Sequence, residues 1–210
     1  NPIRANNDRL ARILAIESKE KWCLFIPLNK MKPKVNVCTN LANNYEIWKR
    51  NANLTYTNPW IDILENDTYY TLEHKEGQVM ILPIVQNSYI VLVKAKRKIL
   101  GDSVWELPAG GAEQNESFQV TAQRELAEET GIKVSKLSRF KPYPSLILAS
   151  NRMPMFPSVF HIDLTMDEFK AKFDSDDEIE TVNIFEFDAI KELICKGLLC
   201  TTLPIAVISR

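Results

Sequence analysis

Four glutamates and one arginine crowd a short stretch of this 210-residue chain. Glu116, Arg124, Glu125, Glu128 and Glu129 follow the pair Gly110-Gly111 and precede Thr130-Gly131-Ile132. Phe118, Ala122 and Leu126 recur every fourth position and make one apolar stripe, so Ser117 to Thr130 is predicted to be a helix. Asn115 or Ser117 can cap its start, and Gly131 supplies the left-handed residue that ends many helices. On such a helix Glu125 shares a face with Glu128 and Glu129, with about 5–6 Å between Cβ atoms. Unpaired like charges at that spacing repel each other. A divalent cation offsets the repulsion, and carboxylate oxygens suit Mg²⁺ or Mn²⁺. A solvated acidic helix face is the alternative, and the three helix glutamates alone fit it well. Arg124 can pair with Glu128 four residues on, or with Glu116 across the loop. Upstream, Pro108-Ala109-Gly110-Gly111 lets the backbone turn sharply and approach a ligand, and a carbonyl there could join a metal shell.

The elements that must position these residues can be read along the chain. Leu10 to Trp22 has helical periodicity, and Lys30 to Asn44, rich in Lys, Asn and Pro, reads as loop. Trp60 to Leu64 and Thr68 to Leu72 read as strands joined by the turn Glu65-Asn66-Asp67. Val79 to Ile84 and Tyr89 to Val93 form a hairpin candidate through Gln86-Asn87-Ser88. Gly101 to Ser103 is a turn, and Val104 to Leu107 is a strand running into Pro108. Ser158 to Leu164 and Thr181 to Phe187 are strands, with a short helix expected at Asp167 to Phe173. Asp188 to Lys196 is predicted helical, capped by Asp188 and stopped by Gly197. Leu203 to Ser209 is a last short helix. Short strands with interspersed helices point to a mixed sheet with helices packed on it.

Composition narrows the function classes. Hydrophobic residues are 45% and charged residues 25% of the chain, values ordinary for a globular protein with its own core. A net charge of -1 gives no electrostatic reason to expect nucleic acid or an anionic membrane as partner. No apolar run approaches the length of a spanning helix, and the start lacks the apolar stretch of a signal peptide. Cys23, Cys38, Cys195 and Cys200 form no C-x-x-C pair and no zinc pattern, which suits reduced thiols in a cytoplasmic protein.

From Gly110 to Ile132 the string reads G-x5-E-x7-R-E-L-x-E-E-x-G-I. It resembles the signature of the Nudix hydrolase family at every fixed position. A chance match to seven fixed residue types is on the order of 10⁻⁶ for a chain of this length. The resemblance implies an α/β Nudix-type α/β/α sandwich with a mixed sheet, here over residues 76–210. Residues 1–75 would form a small N-terminal extension of helix and β-sheet. It implies that Glu125, Glu128 and Glu129 ligate Mg²⁺ or Mn²⁺, helped by Glu116 and a main-chain carbonyl near Ala109 or Gly110. It implies attack of water on phosphorus in a small nucleoside diphosphate derivative, with Glu128, Glu129 and Arg124 in the catalytic centre.

Three further stretches resemble the ADP-ribose pyrophosphatase branch of that family. They are Asn58-Pro59-Trp60-Ile61, the segments Val91 to Arg97 and Trp105 to Gly111, and the acidic loop Asp176 to Glu180. In that branch the N-terminal sheet often helps form a homodimer. The likeness runs from about Tyr56 to Arg210 and leaves residues 1 to 50 uncovered. One departure stands out. The branch usually has a Ser-Pro-Gly-like turn after the signature, whereas here Tyr143-Pro144-Ser145 runs into Leu146. The expected substrate is therefore ADP-ribose or a related nucleotide sugar. A nucleoside triphosphate, a dinucleoside polyphosphate, coenzyme A, or a module that senses nucleotides without cutting them are the alternatives.

Substrate contacts are expected from Arg97, whose guanidinium suits a phosphate, from Trp60 and from Glu106. Arg97 also reads as a surface charge. Trp60, Tyr69 and Trp105 could stack on a base, or be buried aromatics. In the acidic loop Glu178 is the first candidate for a general base on a mobile segment, followed by Asp177 and Glu180; a charged surface turn is the other reading. His74 and His161 have no partners at ligand spacing and read as structural.

Overall fold

Val79 to Val85 is apolar at every position, a pattern that suits a strand covered on both faces. The computed structural model of the protein describes residues 37–210. In chain order it places helix α1 (Val37–Lys49), strands β1 (Asn53–Thr57), β2 (Ile61–Asn66), β3 (Tyr69–His74), β4 (Gln78–Val85), β5 (Tyr89–Arg97), β6 (Asp102–Glu106) and β7 (Ala109–Gly111), then helix α2 (Phe118–Thr130). A 3-10 turn (Leu137–Arg139), β8 (Lys141–Tyr143), β9 (Ser158–Leu164), α3 (Met166–Lys170), β10 (Ile179–Glu186), α4 (Phe187–Cys195) and α5 (Thr202–Ile208) follow.

Seven strands form a mixed sheet in the order β10-β5-β4-β9-β8, with β6 paired to β5 and β7 paired to β4. β4 and β9 run parallel, and the other pairings of the sheet are antiparallel. Side chains alternate along the central strand. Val79, Ile81 and Val85 join Ala122 and Leu126 of α2 in one buried cluster. Met80 and Leu82 face the other way, onto Ile190, Leu199 and Val207 from the α4–α5 region. The sheet therefore lies between helices, the α/β/α arrangement expected from the sequence. The predicted hairpin is present, with Ile84 opposite Ile90. Gln86 and Asn87 both have positive φ, 50° and 54°, as tight hairpin turns require.

A second, three-stranded antiparallel sheet is built from β1, β2 and β3. Here the sequence reading needs correction. Lys30 to Asn44 reads as loop, yet a helix begins at Val37. Its asparagines blur any apolar stripe, and contacts with the small sheet hold it: the Tyr45 hydroxyl meets Thr71 Oγ1 at 2.9 Å, and Asn66 donates to the Trp48 carbonyl at 3.2 Å. Tertiary contacts override weak local preference in this way. β1 escapes sequence reading because it is exposed throughout and so carries no alternation. The helix expected at Leu10 to Trp22 lies outside the described residues.

Helix ends differ in detail. Ser117, not Asn115, caps α2 through the Val120 N–H. Thr165 forms a capping box with Glu168 at the start of α3, which begins one residue before the predicted helix. Asp188 does not cap α4; it sits inside the first turn and pairs with Lys191 at 2.7 Å. Cys195 and Cys200 are exposed free thiols. Among the described residues no helix is long and apolar enough to cross a membrane.

Gly131 and Gly101 share one backbone conformation, φ +72° and +66°. A Cβ on Gly131 would lie 2.1 Å from the Phe173 carbonyl oxygen, whereas one on Gly101 would meet nothing within 4 Å. Gly101→Ala should cost about 1 kcal/mol, the strain of a left-handed alanine. Gly131→Ala should cost at least about 2 kcal/mol, because backbone must also move. Urea denaturation of both variants checks this; equal losses would mean that the Phe173 segment yields freely.

Candidate active site

The guanidinium of Arg124 organises the signature. Nε donates to Glu116 Oε1 at 3.1 Å, and Nη2 donates to Glu116 Oε2 at 3.0 Å and to the Gly111 carbonyl at 2.8 Å. Nη1 donates to Glu125 Oε1 at 2.7 Å and to Glu128 Oε2 at 2.9 Å. Arginine has five N–H donors in a fixed fork, and here each has an acceptor. Both pairings that the sequence allows for Arg124, with Glu116 and with Glu128, are thus made together. The three carboxylates around it hold the guanidinium fully protonated, Glu116 most strongly.

Glu116 is the best-satisfied of those carboxylates. Besides Arg124 it accepts from the Glu113 N–H at 3.0 Å and the Thr121 hydroxyl at 2.9 Å. These donors, led by Arg124, pull its pKa down to about 2. Glu125 is only 8% exposed, and burial pushes its carboxyl up despite Arg124. It lies against the glycine loop: a Cβ on Gly110 would fall 2.0 Å from Glu125 Oε1. Gly110 is needed there because nothing larger leaves room for the carboxylate.

Glu129 sits deeper. Its Oε2 accepts from the Ala109 N–H at 3.0 Å. Burial raises its pKa to about 8, against the lowering effect of that N–H, with neighbouring Glu125 adding to the rise. Desolvation on this helix face disfavours ionisation of both carboxyls, and the donors of the protein only partly offset that cost. Hard oxygen donors of this kind fit a divalent cation. As the side chains stand, though, no group of three acidic, His or Cys side chains among the described residues is arranged to hold a metal ion. The reason is visible: Glu125 and Glu128 are both turned onto Arg124.

Arg97 and Glu106 form a two-pronged ion pair across β5 and β6, with Arg97 Nε 3.2 Å from Glu106 Oε1. Arg97 also feels the charges of Glu129 and Glu178, so it belongs electrostatically to the same site. Glu178 itself is exposed. Its loop, expected to be mobile, is held at several points: the Phe173 N–H donates to the Gly131 carbonyl, the Asp176 N–H to the Glu128 carbonyl, and the Lys96 N–H to the Glu178 carbonyl. Glu180 is drawn away to Lys94 at 2.8 Å. Trp60 stands apart from this hydrogen-bond network, 73% exposed in the link before β2, with its N–H on Asn58. Tyr69 is exposed too, so among the three aromatics it is Trp105 that packs into the core, edge-on to Phe185. His74 is exposed, and His161 lies edge-on to Tyr143. Thr121, buried and bonded to Glu116, had no sequence signal beyond its place on the helix face that carries Glu125.

The NUDIX domain family profile matches residues 74–197. An ADP-ribose pyrophosphatase of Bacillus subtilis (strain 168) is 34% identical over 116 residues, which span 55% of this chain and 61% of that relative. A methanol dehydrogenase activator of Bacillus methanolicus is 29% identical over 135 residues, 62% of this chain and 70% of its own. An 8-oxo-dGTP diphosphatase of Buchnera aphidicola subsp. Schizaphis graminum (strain Sg) is 31% identical over 67 residues, 32% of this chain and 52% of its own.

The raised pKa of Glu129 has a consequence for stability. A carboxyl whose folded pKa lies above its unfolded value of 4.5 stabilises the fold fully below pH 4.5, and that contribution is lost as pH rises to about 8. Glu129→Gln keeps the neutral shape and the acceptor for Ala109 at every pH. With divalent ions chelated, the variant should match the parent chain near pH 4 and be the more stable by pH 9. Thermal melts of both across that range check it; parallel curves would mean that Glu129 is solvated.

Proposed function

We propose that this chain, which belongs to the Nudix domain family, hydrolyses the pyrophosphate bond of ADP-ribose or a related nucleoside diphosphate sugar with the help of Mg²⁺ or Mn²⁺. The products would be a nucleoside monophosphate and a sugar phosphate. The observation that carries this reading is the grouping of Glu125, Glu128 and Glu129 on one helix face beside the glycine loop. Two of the three are desolvated, and Arg124 orders two of them. A solvated acidic face has no use for such burial.

In this reading Glu125, Glu128 and Glu129, with a carbonyl near Ala109, would hold the metal. The bound ion would supply charge for the phosphate oxygens and acidify a water molecule. Glu116 was expected among the ligands, but its two oxygens already meet four donors, about as many as a carboxylate accepts. We therefore assign it to positioning: it holds Arg124, and Arg124 holds Glu125 and Glu128. Arg97, oriented by Glu106, would take substrate phosphate, since its planar fork suits a phosphate edge. Glu178 is the candidate base, placed by a loop whose backbone is tied to the end of α2.

The B. subtilis relative's name supports the substrate class. The Buchnera relative's name keeps a nucleoside triphosphate as the second reading. Leu54, Tyr56, Trp60, Tyr69 and Tyr70 on and beside the three-stranded sheet are exposed, and such a patch suits pairing with a second copy of the chain. We assign Trp60 to that surface rather than to the phosphate site.

Release of the nucleotide product should be measured from ADP-ribose, ADP-glucose, a diadenosine polyphosphate, coenzyme A (which yields adenosine 3′,5′-bisphosphate, not AMP) and a nucleoside triphosphate, each with Mg²⁺ or Mn²⁺. ADP-ribose is expected to be the preferred substrate. Glu128→Gln and Glu129→Gln should each lower kcat at least about a hundredfold with folding retained. Turnover of the triphosphate alone would move the assignment to the second reading. Tight nucleotide binding without turnover would make the chain a sensing module.

A further inference from the structure

Thr121 is 0% exposed, on the side of α2 that carries Glu125 into the site. Its hydroxyl has two acceptors in reach: Glu116 Oε2 at 2.9 Å and the Ser117 carbonyl at 3.1 Å. A threonine hydroxyl has one proton, so the two compete. Inside a helix the usual partner is the carbonyl one turn back. That carbonyl also accepts the N–H of Thr121, at 2.9 Å, as in any helix, and it is neutral. Glu116 offers the charge-assisted bond, which is about twice as strong as a neutral one. The proton therefore goes to the carboxylate.

From this geometry we infer that Thr121 is a positioning residue for the reaction, the buried anchor of a relay that runs from its hydroxyl through Glu116 and Arg124 to Glu125 and Glu128. The inference rests on the hydrolase reading above and deepens it. The loop between β7 and α2 places Glu116, and without a second tether its carboxylate can swing with that loop. The Glu113 N–H comes from the same loop and moves with it. The Thr121 hydroxyl comes from the helix that also carries Glu125, Glu128 and Glu129. It ties the loop carboxylate to the helix frame, and Arg124 then finds its acceptor at a fixed place. A group that orients others in this way leaves folding intact when removed, yet loosens the cation site and slows the chemical step.

Three substitutions separate this role from packing. Thr121→Val keeps the volume and removes the hydroxyl; Thr121→Ser keeps the hydroxyl and removes the methyl; Thr121→Ala removes both and serves if the valine variant does not fold. The chain is compared on the best substrate with Mg²⁺, on Mn²⁺ binding followed by electron paramagnetic resonance without substrate, and on the NMR signal of the Arg124 Nε–H. The valine variant, or the alanine variant in its place, should lose roughly tenfold in kcat with KM little changed, and weaken Mn²⁺ binding by a similar factor. Its Arg124 Nε–H signal should broaden or exchange faster. Serine should restore all three to within about twofold of the parent chain. Serine failing as badly as valine would overturn the inference, because the methyl would then be what matters; so would a valine or alanine variant with unchanged Mn²⁺ binding and an unchanged Arg124 signal. Absence of turnover in the parent chain would count against the hydrolase reading alone, since the Mn²⁺ and NMR readouts still decide on the relay.

Discussion

One guanidinium sets the geometry of this site. Arg124 spends its five donors on three carboxylates and one carbonyl drawn from the loop and the helix of the signature. A planar fork of fixed geometry can do this, and a lysine's rotating ammonium cannot. Each carboxylate that Arg124 touches is placed to within a hydrogen bond's tolerance. Removing such a charge from a half-buried cluster strands its partners, which typically costs about 3–5 kcal/mol for buried pairs. The repulsion among Glu116, Glu125 and Glu128 is thus carried by one central cation in the absence of metal.

The rest of the fold keeps that fork where it is. Ala122 and Leu126 anchor α2 on the sheet beside Val79, Ile81 and Val85, so Glu125 and Glu129 emerge at the edge of a dry core. β7 pairs with β4, which brings Gly110 against the Glu125 carboxylate and the Ala109 N–H against Glu129. The end of α2 has carbonyls without helical partners. The N–H groups of Phe173 and Asp176 satisfy two of the residues there, Gly131 and Glu128. The acidic loop is therefore attached to the same helix as the glutamates, and Glu178 stays within the electrostatic reach of Arg97.

Burial gives these carboxylates different characters. Glu116, ringed by donors, has its pKa pulled down to about 2, whereas Glu129, desolvated and offered one N–H by Ala109, has its pKa raised to about 8. Two glutamates thirteen positions apart in one motif thus differ because one is solvated by the protein and the other is desolvated by it.

Much of this was written in the chain. The spacing of Glu116, Arg124, Glu125, Glu128 and Glu129 placed the candidate chemistry on one helix, because helical periodicity is local. Gly131 ended that helix as expected, and the apolar residues Val79 to Ile84 marked a strand of the hairpin. Long periodic elements were legible for the same reason. The helix at Val37 and strand β1 were not, since contacts with β2 and β3 rather than their own pattern define them. Only the tertiary structure decided that Arg124 grips Glu116 and Glu128 at once, that Thr121 backs Glu116, that Arg97 is held by Glu106, and that the Glu178 loop is tied to α2. Sequence spacing says which side chains can share a face of one element. Which groups from different elements meet, and how dry their meeting place is, depends on packing at long range.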